Sequence, residues 1–132
     1  MIQELKNIDL SQYKVLVVDD VPLNLLLVEK MLKQFGIEVK KAANGMEAME
    51  SIREEMPDLV LLDLMMPVMD GFEFLRIARA KPETRLLKIV ILSALNKPED
   101  IVRGYEAGAN DFITKPIIFE KLISSVAAQL KI

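Results

Sequence analysis

The 132 residues fit a single domain, and 52% hydrophobic residues supply enough apolar material for a sizeable core. The chain has no cysteine and no histidine, which excludes disulfides, thiolate nucleophiles, thiolate metal sites, Ser-His-Asp triads and a phosphohistidine of its own. A net charge of −3 argues against nucleic-acid binding, and no apolar run approaches the ~18–20 residues of a membrane span.

Residues 1–12 mix Glu4, Lys6 and Asp9 with scattered apolar residues. They read as an N-terminal extension, not as a signal peptide, and the expected location is cytoplasmic. The domain proper is expected over 13–132. Its first apolar run, KVLVV over 14–18, is rich in β-branched residues and predicts a buried strand. A helix over 22–35 follows, with Pro22 near its start and Gly36 at its end. The segment IEVKKA over 37–42 alternates apolar with charged residues, as an edge strand wet on one side does. Asn44 is placed to cap a helix over 45–55, with Glu47 as its capping-box partner.

LVLL over 59–62 predicts a third strand. Asp70 and Glu73 repeat the capping signal before a helix over 72–80, and IVIL over 89–92 predicts a fourth strand. Pro98 opens a helix to 107 that carries Gly104 in its interior. A short strand over 112–114 precedes a last helix whose core stripe is Phe119, Leu122, Ile123, Val126 and Leu130. Strict βα alternation implies a doubly wound α/β sandwich with right-handed crossovers. The polar strand at an edge favours a five-stranded parallel sheet of order 2-1-3-4-5, with ligands bound beyond the carboxyl ends of strands 1 and 3.

The residues ending the apolar runs carry the functional argument: Asp19 and Asp20, Asp63, Ser93, and Lys115 followed by Pro116. Parallel strands bring these ends to one crevice. Three carboxylates a few ångströms apart repel by several kcal/mol at an effective dielectric of roughly 20. One lysine cannot neutralise them, whereas a hard divalent cation with oxygen ligands can, Mg²⁺ (or Mn²⁺) being the fit. A carboxylate nucleophile, a metal, an ammonium and a hydroxyl are the parts that phosphoryl transfer needs. Taken singly, each residue has a plainer role: Asp20 as a helix cap, Asp63 or Ser93 in a turn, Lys115 as the end of a strand. Chance explains poorly why all of them end buried runs.

VVDDVPLN, VLLDLMMPVMDGFEFL, IVILSA and AGANDFITKP stand in the order and spacing of the receiver domain of response regulators and hybrid histidine kinases, which the chain resembles from about residue 13 to 130. The resemblance implies a flavodoxin-like (βα)5 receiver fold. It also implies that Asp63 accepts a phosphoryl group from a phosphohistidine on a sensor histidine kinase or histidine phosphotransfer protein. Asp20 and Asp63 would bind Mg²⁺ directly, Asp19 through a water, and the Met65 backbone carbonyl would complete the protein ligands. Lys115, joined to Pro116 by a cis bond, would pair with the phosphate and Ser93 would hydrogen-bond it. Ser93 and Phe112 would act as the switch pair, reshaping the face made by the helix over 98–107, the fifth strand and the last helix. A homodimer through that face, and an effector domain in a longer chain, are further expectations. Gly104 makes the helix over 98–107 easy to shift or, equally, packs closely against a neighbour. The last helix has only Lys121 and Lys131 as basic residues and no arginine, which does not suit the charged dimer interface of receivers joined to winged-helix domains.

Met65 and Leu95, two residues beyond Asp63 and Ser93, are apolar and cannot orient an attacking water, so self-dephosphorylation is expected to be slow. The protein is therefore expected to be a signalling phosphoacceptor and not a turnover enzyme. A haloacid-dehalogenase-type enzyme would need a carboxylate where Met65 stands. A flavin carrier would find its phosphate repelled by Asp19 and Asp20, and nucleotide-binding folds lack their glycine-rich loop here. The remaining alternative is a receiver-fold docking module that works without phosphorylation.

Overall fold

The computed structural model describes residues 2–132. In chain order its elements are α1 (Ile2–Lys6), β1 (Lys14–Val18), α2 (Pro22–Lys33), β2 (Glu38–Ala42), α3 (Gly45–Glu54), β3 (Leu59–Leu62), α4 (Gly71–Ala80), β4 (Lys88–Ser93), α5 (Pro98–Glu106), β5 (Asp111–Thr114) and α6 (Phe119–Leu130). All strand pairs are parallel, and the order β2-β1-β3-β4-β5 is the expected one. Element limits differ from the sequence expectation by a residue or two, as helix and strand ends commonly do.

The pleat sorts the strand residues between two cores. Val15, Val17, Leu59, Leu61, Val90, Leu92 and Ile113 pack with Val28 and Leu32 of α2 and with Leu122, Ile123 and Val126 of α6. Leu16, Val18, Val60, Leu62, Ile89 and Ile91 pack on the other face with Ile52 of α3 and with Phe74 and Leu75 of α4. Burial on both faces explains why these strands are apolar throughout. At the edge, β2 exposes Glu38 and Lys41, half-buries Val39 and Lys40, and buries only Ala42, so it is wet as expected but without a clean alternation.

The caps behave unequally. Asn44 Oδ1 accepts the Glu47 amide at 2.9 Å, and Glu47 Oε1 reaches back to the Ala43 amide at 3.1 Å, one residue beyond the N-cap amide of the usual box. Asp70 caps the Glu73 amide at 2.9 Å, but Glu73 turns away to pair with Arg76 at 2.6 Å. Gly36 lies at φ 80°, where a side chain would be strained.

The short α1 lies in the segment that the sequence presents only as an extension. Leu5 is 5% and Leu10 1% exposed, and both join the core between the sheet, α2 and α6. Their burial comes from tertiary contact, which a five-residue helix without periodicity does not advertise.

Candidate functional site

Beyond the carboxyl ends of β1 and β3, Asp19, Asp20 and Asp63 each offer an oxygen, and these oxygens all lie within 4.8 Å of one another. By the two-residue pleat, Asp19 and Asp63 extend the rows Val15–Val17 and Leu59–Leu61, which face α2 and α6. Lys115 approaches from the end of β5: its Nζ lies 2.9 Å from Asp19 Oδ2 and 3.7 Å from Asp63 Oδ1. The Lys115–Pro116 peptide is cis, as expected. The fold thus brings Asp19, Asp20, Asp63 and Lys115 together.

Hydrogen bonds hold the three acids to different degrees. Asp19 is 4% exposed and well held, accepting from the Val21 amide at 2.9 Å and from Asn24 Nδ2 at 3.2 Å. Asp20 is exposed, and its carboxylate has no hydrogen bond or ion pair among the described residues. The N-cap of α2 is Val21, without a side-chain bond, so Asp20 is not a helix cap. Asp63 is 5% exposed, and besides the distant Lys115 ammonium its carboxylate has one hydrogen bond among the described residues, from the Met65 amide at a long 3.4 Å. Burial pushes the Asp63 carboxyl above the usual carboxylate range; the Lys115 ammonium opposes this, Asp19 adds to it, the Met65 amide opposes it, and Asp20 adds a little more. An all-oxygen donor set with excess negative charge and one uncommitted carboxylate suits a hard divalent cation.

Ser93 is fully buried, and its Oγ accepts the Leu95 amide at 3.1 Å without bonding to the acidic cluster. It ends the row Ile89–Ile91 that faces α3 and α4, the face on which half-buried Phe112 also packs. The Gly104 alternative resolves as close packing. A Cβ there would stand 2.9 Å from Ile91 Cδ1 and 2.9 Å from Phe112 Cδ2.

Three neighbours were not singled out by the sequence. Asn24 braces Asp19 from the first turn of α2, and an asparagine is a poor choice inside a helix unless its side chain has such a task. Arg103 and Phe72 line a cleft of about 460 Å³ together with Asp20, Met65 and Leu95. No local pattern pairs two residues on different helices.

The sequence model of the response regulator receiver domain matches residues 15–127, and the chain belongs to this family. It is 35% identical over 117 residues to the protein PilH of Pseudomonas aeruginosa, covering 89% of this chain and 97% of that one. It is 42% identical over 104 residues to the response regulator PleD of Caulobacter vibrioides, covering 79% of this chain but 23% of PleD. The chain therefore spans only a fraction of some relatives. Among solved structures it resembles a response regulator of Chloroflexus aurantiacus (TM-score 0.87, 33% identity, 91% of this chain and 98% of that one). It also resembles the receiver domain of a sensor histidine kinase of P. aeruginosa, solved with a magnesium ion coordinated in its active site cleft (TM-score 0.83, 30% identity, 91% and 98%). Among the described residues no helix is long and apolar enough to cross a membrane.

Proposed function

We propose that this receiver domain takes a phosphoryl group onto Asp63 from a phosphohistidine of a sensor histidine kinase or phosphotransfer protein. The observation that carries this reading is the convergence of three carboxylates and Lys115 beyond the ends of separate buried strands. An Asp63 Oδ attacks phosphorus, the P–N bond of the donor breaks, and its electron pair returns to the partner's imidazole. Asp63 suits the nucleophile because it is the acid least held by hydrogen bonds within the protein's interior.

Asp20 and Asp63 would hold Mg²⁺ directly with the Met65 carbonyl, and Asp19 would act through a water. When bound, the cation shields the carboxylates and the phosphoryl oxygens from one another. Lys115 would pair with the phosphoryl group, turning from Asp19 toward Asp63. Ser93 would give up the Leu95 amide to hydrogen-bond the same group, and Phe112 would follow it inward. Those contacts bias a two-state equilibrium and reshape the face of α5, β5 and α6, which is the surface for output or for a second copy.

Exposed Val21 at the N-cap and exposed Leu23, Leu26 and Leu27 of α2, the last lining a cleft with Asp19 and Asp63, offer apolar surface beside the site that suits a protein donor. A cytoplasmic location fits such a partner. An effector domain in a longer chain fits relatives such as PleD, of which the chain spans only part. The chemistry ends at self-phosphorylation and slow self-dephosphorylation, because Met65 and Leu95 give water no hydrogen-bond acceptor.

The test is incubation with Mg²⁺ and acetyl phosphate, read by intact mass. The native protein should gain one phosphoryl group, which should decay over minutes and not seconds once the donor is removed. Asp63→Asn, or chelation of the metal, should abolish the gain. A native protein that never gains it would point to a docking module that works without phosphorylation.

A further inference from the structure

On the reading of Asp63 as phosphoacceptor, the site is short of one cation. Three carboxylates against one ammonium leave two excess negative charges, which a divalent cation cancels. A phosphoryl group on Asp63 then replaces a single negative charge by up to about two, and nothing in the strand-end cluster balances the added one. Lys115 is already shared between Asp19 and Asp63.

Arg103 faces the same cleft as Asp20, Met65 and Leu95. It projects from α5, whose first residue, Pro98, follows the carboxyl end of β4. Helical side chains lean toward the helix N-terminus, so that of Arg103 leans toward the site. Its guanidinium carbon stands 3.7 Å from the centroid of the Phe72 ring. Among the described residues it makes no ion pair and no side-chain hydrogen bond. By contrast, Arg76 is paired with Glu73, and Arg79 is spent on Gly108, Thr84, Arg85 and Asn110. A stacked but unpaired guanidinium keeps all its N–H donors available, in a fork that matches phosphate oxygens.

We propose that Arg103 is an anion-binding residue at the mouth of the site: as a phosphoryl group arrives, its guanidinium leaves Phe72 and closes on oxygens that Lys115 does not reach. The movement has a built-in consequence. The next residue, Gly104, packs without clearance against Phe112 and Ile91, so a pull on Arg103 is felt directly at Phe112. Arg103 thereby ties the charge on Asp63 to the position of α5.

Two variants of the full chain separate this role from simple packing. Arg103→Met keeps an unbranched apolar cover over Phe72 and loses the charge; Arg103→Lys keeps the charge and loses the fork. Initial rates of phosphorylation are measured by intact mass across a series of acetyl phosphate concentrations with Mg²⁺ in excess. Arg103→Met should raise the half-saturating donor concentration about five- to tenfold, and Arg103→Lys should recover part of that loss. Calorimetric Mg²⁺ affinity without donor should be unchanged or tighter in Arg103→Met, because removing a cation does not repel another. An Arg103→Met protein that saturates like the native one overturns the proposal, as does one that loses donor and Mg²⁺ affinity together. If the native protein takes no phosphoryl group, it is the reading of Asp63 that fails. Arg103 is then judged by inorganic phosphate binding to the Mg²⁺-supplied protein, and equal affinities in native and Arg103→Met overturn its role.

Discussion

The two ends of the sheet treat charge in opposite ways. Toward the amino-terminal end, Glu55 lies between Lys14 and Lys40, bonded to the first and 3.0 Å from the second. Asp58 accepts the Lys14 amide at 2.8 Å. Hydrogen bonds from Lys14 and then Lys40 hold the Glu55 carboxyl below the usual carboxylate range. At the carboxyl-terminal end acids outnumber cations, Asp20 has no partner among the described residues, and burial holds Asp63 above that range. One end has its carboxylates paired, and the other is left short of positive charge that a divalent cation could supply. Such an imbalance beside a buried core marks a site.

The largest expected effect breaks the balanced end. Removing residues 1–10 strips Leu5 and Leu10 from the core and should lower stability by about 3–5 kcal/mol. Urea unfolding followed by far-UV circular dichroism measures this. An unchanged midpoint would mean that the two leucines lie on the domain without supporting it. The Mg²⁺ affinity of the truncated protein should survive wherever it stays folded, since no ligand comes from this segment.

The contrast between the ends was only partly legible in the sequence. The acidic end could be read because apolar strands stop abruptly at Asp19, Asp63 and Lys115, and parallel pairing leaves such ends no choice of direction. The amino-terminal seal could not, because α1 is too short to show a period and Leu5 and Leu10 declare their burial only through tertiary contact. Whether Asp20 caps a helix needed coordinates as well. Two residues before Pro22 it looks like a helix cap, and only the backbone shows that Val21 holds that position. The approach of Arg103 to Phe72 joins α5 to α4, and nothing local in either segment signals it.

A smaller effect sharpens the opposite end. In metal-free protein at neutral pH, ionised Asp63 is buried beside two like charges, so Asp63→Asn should stabilise the fold by about 1 kcal/mol. The sign follows from the raised folded pKa. Between the ordinary value of 3.8 and the raised one, the folded state binds more protons than the unfolded state, so stability falls as pH rises through that window. The advantage of Asp63→Asn should therefore shrink as pH falls through the raised value toward 3.8 and be gone below it. Mg²⁺ should stabilise the native protein more than the variant. Thermal melts with and without the metal measure both, and a variant less stable than the native protein without metal would remove the case for charge excess.

The smallest effect belongs to Glu55, and its smallness is the point. Glu55→Gln removes the carboxylate shared by Lys14 and Lys40, yet all three side chains are more than a third exposed. Water and salt already screen exposed pairs, and the freed lysines hydrate readily, so the melting midpoint should fall by at most about 2 °C. The sign is again fixed by the pKa. A lowered carboxyl contributes stability above its ordinary value of 4.5 that is lost as pH falls through the folded value. The native and Glu55→Gln midpoints should thus converge in acid, whereas Asp63→Asn loses its advantage there from the other side. Matching acid dependence in the two variants would mean that the ends of the sheet do not differ in the way their charges suggest.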